Sequence, residues 1–104
     1  MTTDLGVCEL IVDVMKKHNH YQNVSVAHQW IKSVSALTRN CDRCWVRFGR
    51  AGLCPILINI LIFHSASADF VEYWCNVVGN VAIQEDNRKE LGELGACEAI
   101  MHVL

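Results

Sequence analysis

Cys41-x-x-Cys44 is the sharpest chemical spacing in this chain. Two thiols three residues apart can share a metal ion or pass between dithiol and disulfide. A structural zinc takes four ligands, usually two such pairs or one pair with two spaced histidines. No second pair exists, and His18-x-His20 with His28 lacks zinc-finger spacing. A thioredoxin-like site sits in a βαβ pattern, and no alternating run here reads as a strand. The pair therefore reads as a turn and short helix with two thiols. Thiol or zinc binding by Cys41 and Cys44 stands as an alternative function. No nucleophile–base pairing, glycine-rich phosphate loop or paired carboxylate is evident, so the chain reads as a non-enzyme without a cofactor. The histidines His18, His20, His28, His64 and His102 are scattered. His18 and His64 fall at the ends of apolar helical segments, where positive charge suits the dipole. Glu85, Asp86, Glu90 and Glu93 read as solvated charge.

Bulk composition narrows the class. The 104 residues suit one domain, and a hydrophobic fraction of 52% with 19% charged residues argues against disorder. Net charge is −2 with both signs interspersed, which disfavours nucleic acid and anionic membranes as partners. The N-terminus shows no secretory pattern. The most apolar stretch, 53–63, carries Pro55 and Asn59 and is too short for membrane insertion. It reads as a helix buried on nearly all sides. Six cysteines without a signal segment fit a reducing, cytoplasmic setting, with the nucleus as the alternative.

Three of those cysteines belong to a repeat. Gly6-Val7-Cys8, Gly52-Leu53-Cys54 and Gly95-Ala96-Cys97 each open an apolar helical segment, at intervals of 46 and 43 residues. Spacings in the forties belong to helical solenoids, one supersecondary unit per repeat. Cysteines placed by a repeat are expected as small buried hydrophobes. Trp30 and Trp74 repeat as well, 44 residues apart.

The elements follow from periodicity and punctuation. Leu10, Ile11, Val14 and Met15 mark a helix over 8–18, followed by a polar turn at 19–23. Ser25 caps a helix over 26–39 with the stripe Val26, Trp30, Val34 and Leu37. Asp42 caps a short helix over 43–50, bracketed by Gly49 and Gly52. Pro55 opens the next, running to about Phe63, and a small-residue turn follows at 64–68. Asp69 caps 70–83, with the stripe Phe70, Trp74, Val77, Val78 and Val81. Asp86 precedes a second short helix, 87–91, and Gly92 and Gly95 repeat the earlier bracket. The last helix begins near Cys97. The order is long-long, short-long-long, short-long, all within a single domain 1–104: a partial repeat 1–40, a repeat 41–83 and a partial repeat 84–104.

This pattern resembles the armadillo repeat, a short helix and a glycine turn followed by two longer antiparallel helices. Ala51-Gly52-Leu53-Cys54-Pro55 is similar to the family's second-helix opening, and Asn80-Val81-Ala82 to the end of its third helix. Asp86-Asn87-Arg88 through Leu94-Gly95-Ala96 is similar to the segment that follows. The resemblance implies an all-α, right-handed α-solenoid that acts as a protein–protein scaffold. It implies a concave face of third helices where an asparagine ladder holds an extended peptide. Asn80 matches the ladder position. The family's tryptophan position is Asn76 here, and the preceding repeat has Ala36 and Lys32 at the two places. The ladder is thus one rung long, a departure from the basic-peptide readers of nuclear import.

Tyr73, Asn76, Asn80 and Gln84 form a polar stripe that reads either as an ordinary solvated face or as the floor of that groove. Amides there can donate to and accept from a peptide backbone. Gln29 and Lys32 extend it into the previous repeat. The tryptophans read as core, since aromatic stripes at helical spacing pack. Leu10, Ile11, Val14, Ile100, Val103 and Leu104 give the ends apolar faces, where a solenoid needs polar caps. Self-association, or a role as an internal segment of a longer solenoid, is the expectation that follows.

Overall fold

Three glycines set the frame. A computed structural model describes residues 6–18, 22–39 and 41–103, and its residues with positive φ are Gly6 (74°), Gly52 (96°) and Gly95 (82°). A side chain with a Cβ adopts that backbone only under strain, so each glycine marks a place where the chain must turn sharply. Gly52 caps one helix and opens the next, and the two helices meet at 78°. Gly52 N donates to Gly49 O and Gly95 N to Gly92 O, both at 3.2 Å, so the two bracketing pairs close alike.

Seven helices occupy the described residues, with no strand among them. They are α1 (Val7–His18), α2 (Val24–Thr38), α3 (Asp42–Ala51), α4 (Leu53–His64), α5 (Ala68–Val81), α6 (Glu85–Glu93) and α7 (Ala96–Val103). The all-helical expectation holds. Helix α2 packs most extensively on α5; α1 touches α4, α4 touches α7, and α3 touches α6. No described helix is long and apolar enough to cross a membrane.

The core runs through these contacts. Helix α4 buries Leu53, Cys54, Ile56, Leu57, Ile60, Leu61 and His64, though Ile62 is 72% exposed, so its burial is broad rather than complete. Trp30 and Trp74 are buried, as their phase indicates. Their indoles do the same work: Trp30 Nε1 donates to Ile11 O at 2.9 Å and Trp74 Nε1 to Leu57 O at 2.8 Å. Each ties a long helix to the helix before it and satisfies the one polar atom that burial would orphan.

Several local expectations are corrected. Asn23, not Ser25, caps α2, accepting from Val26 N. Ser67, not Asp69, caps α5, accepting from Phe70 N. Cys41 occupies the N-cap of α3 without a side-chain capping bond, and Gln84 caps α6 by accepting from Asn87 N. The aspartates Asp42, Asp69 and Asp86 lie inside the first turns instead, where a negative charge still favours the helix. Helix α5 therefore spans 68–81 and not 70–83, and α6 runs 85–93 and not 87–91. Cys8 and Cys54 are buried, but Cys97 is exposed, because no further layer of the described chain covers α7. Expectations touching residues 19–21 (the first part of the polar turn and His20) and Leu104 lie outside the described residues.

Candidate functional site

The α2–α5 pair carries most of the polar stripe. Lys32 and Tyr73 come together: Lys32 Nζ lies 5.7 Å from the centre of the Tyr73 ring, within cation–π range. The tyrosine is half-buried and the lysine exposed. Asn76, one turn along α5, is exposed. Gln29 is also exposed, one turn before Lys32. With Ile11, Val14, Ser25, Val26, Trp30 and Ser33 it lines a shallow apolar cavity of about 370 Å³ between α1 and α2.

Asn80 is not free. Its Nδ2 donates to Thr38 Oγ1 at 3.1 Å, joining α5 to the end of α2, and Thr38 Oγ1 lies 2.8 Å from Val34 O. Thr38 is fully buried, so the amide nitrogen of Asn80 is engaged inside the protein. Gln84 leaves the stripe altogether. Helix α5 stops at Val81, and the Gln84 amide oxygen turns to cap α6. Of the six residues the stripe comprised, Lys32, Tyr73 and Asn76 present one surface, Gln29 lies at its edge, Asn80 pins it from beneath, and Gln84 serves the next helix.

Asn87 is the residue that sequence reasoning undervalued. It is 3% exposed and bridges three elements: Nδ2 donates to Trp45 O at 2.8 Å and to Val81 O at 3.0 Å. A Cβ at Gly49 would collide with its Oδ1, so the glycine is what lets α6 approach α3. The signal was available: the paired Gly49/Gly52 and Gly92/Gly95 brackets read only as helix ends. Trp45 was missed too. Its Nε1 donates to Thr38 O at 2.6 Å, closing the corner between α2 and α3.

The thiols divide by environment. Burial pushes Cys54 up to about 12, helped by the neighbouring Glu90 carboxylate, so Glu90 is engaged rather than simply solvated. Burial and hydrogen bonding to Cys41 push Cys44 up to about 12 as well. Cys44 also contacts the Cys8 thiol, so it lies between Cys41 and Cys8. Among the described residues no three His, Cys, Asp or Glu side chains are arranged to hold a metal ion. His64 packs tilted on Phe70 at 4.8 Å between ring centres, with His28 edge-on to it at 6.0 Å, so His64 is a core residue and not merely a charge at a helix end.

Compared with protein-family models, curated proteins and solved structures, the chain has no significant match.

Proposed function

We propose that this chain is an armadillo-type, right-handed α-solenoid segment that binds an extended peptide or partner protein along its α2–α5 face. The observation that carries the proposal is the Lys32–Tyr73 contact with exposed Asn76 beside it. It offers a cation, a ring and an amide along one line, anchored by the Asn80–Thr38 bond beneath. Supporting it, helices at matching places in the sequence repeat touch one another: α1 with α4, α2 with α5, α3 with α6. Repeats that cannot bury their apolar faces alone stack, and stacking leaves a long shallow surface. Such a scaffold has no catalytic role and no cofactor, and its setting is the cytoplasm or nucleus.

Selection from a displayed library of unstructured peptides tests this. Peptides that bind the wild-type chain are expected to lose at least tenfold in affinity to Lys32→Glu and to Asn76→Ala, with thermal stability unchanged. A library that yields no binder, or binders indifferent to both substitutions, contradicts the proposal. Asn80→Ala is the less clean probe, since removing its bond to Thr38 costs about 1 kcal/mol of stability.

A second reading, a structural segment whose ends join further repeats, is favoured by the exposed Leu10, Val24 and Met101. Zinc binding by Cys41 and Cys44 finds no third ligand among the described residues.

A further inference from the structure

We propose that Cys41 and Cys44 form a reversible disulfide by exchange with a small-molecule disulfide, which makes the start of α3 a thiol-oxidation site. Cys41 is the N-cap residue, in extended conformation (φ −132°, ψ 92°), and its side chain makes no capping bond. Its sulfur is therefore not claimed by the helix it opens. Its carbonyl accepts from Cys44 N at 3.1 Å and from Trp45 N at 3.3 Å, folding one turn that places the two residues over each other. Three residues of helix rise about 4.5 Å, within the roughly 4.4–6.8 Å that a disulfide spans between Cα atoms.

Accessibility sets the order of events. Cys41 is half-buried, whereas Cys44 is 5% exposed and Cys8 is 1% exposed. Glutathione disulfide meets Cys41 first. The Cys41 thiolate attacks one sulfur, the glutathione S–S bond breaks, and the first glutathione leaves and takes up the proton that Cys41 gave. Cys44 then attacks Cys41 Sγ, its proton passes to the departing second glutathione, and the mixed disulfide breaks. The protein loses two electrons and two protons, and one glutathione disulfide becomes two glutathiones. Cys8 is 1% exposed, so glutathione disulfide does not reach it, and it lies outside the α3 turn that joins Cys41 to Cys44.

The sequence makes the product easy to read. Arg43 lies between the two cysteines and Arg39 and Arg47 flank them, so trypsin puts Cys41 and Cys44 on separate short peptides and Cys8 on a third. The full chain is equilibrated across glutathione/glutathione-disulfide ratios, blocked with an alkylating agent, digested without reductant and mapped by mass spectrometry. The expected product is the Cys41 peptide joined to the Cys44 peptide, reversed by dithiothreitol, present in Cys8→Ser and absent in Cys41→Ser. Serine is a favoured N-cap, so Cys41→Ser folds, which circular dichroism verifies. A Cys8–Cys44 link, or glutathione adducts on Cys75 and Cys97 with no Cys41–Cys44 link at any ratio, overturns the proposal.

Discussion

Side-chain environment divides five of the six cysteines into two sets, with Cys41 intermediate between them. Cys75 and Cys97 face solvent, whereas Cys8, Cys44 and Cys54 are buried. In the folded chain Cys75 and Cys97 are expected to react with iodoacetamide at least tenfold faster than Cys54, and denaturant should erase the difference. Equal rates in the folded state would contradict the packing. A pH effect follows. Cys44 and Cys54 are pushed from an ordinary value of 9.0 up to about 12, so the unfolded chain releases these protons first. Their contribution to stability is complete below pH 9 and is lost as pH rises towards 12. Urea midpoints should fall between about pH 8 and pH 10.5, and fall less in Cys54→Ala measured against its own value at the lower pH. The burial of Cys8 and Cys54 was legible in the repeat. The exposure of Cys97 was not, because spacing does not say what covers the last copy.

At the scale of elements, the number and order of helices were legible because each apolar stripe ends at a glycine or a polar turn. Cap identity was less so. Asn23 and Ser25, or Ser67 and Asp69, are all good caps two residues apart, and packing of the first turn decides between them. Gln84 is not a preferred N-cap, yet its amide oxygen accepts from the backbone N–H of Asn87, whose side chain is held by α3 and α5. That bridge carries a prediction. Asn87→Ala removes the side-chain bonds to Trp45 O and Val81 O, of which Val81 O keeps Gln84 N as a donor at 3.3 Å, and is expected to cost about 1–3 kcal/mol in urea unfolding. Gly49→Ala should also destabilise, by about 1–3 kcal/mol, by forcing α6 away from α3. Costs under about 0.5 kcal/mol for both would show that the α3–α6 contact is not held this way. The candidate groove was only partly legible for the same reason: the periodic stripe carried Gln84 along, whereas the backbone stops α5 at Val81.

For the whole molecule, the described chain measures 41 × 29 × 22 Å, with apolar side chains uncovered towards both ends of the sequence. Leu10 is 64% exposed and Met101 79%. Size-exclusion chromatography is expected to show concentration-dependent association that Leu10→Glu with Met101→Lys reduces. A single sharp monomer peak at all concentrations, with high thermal stability, would contradict it. The sequence leaves the partner of the proposed scaffold open, because a stacked surface does not dictate its ligand. The central claim, that this surface is the α2–α5 face, is tested most directly by mapping amide chemical shifts on adding a library-selected peptide. The account predicts shifts grouped at Gln29, Lys32, Tyr73 and Asn76. Shifts grouped on α6 and α7, or spread over the α1 end alone, would contradict it.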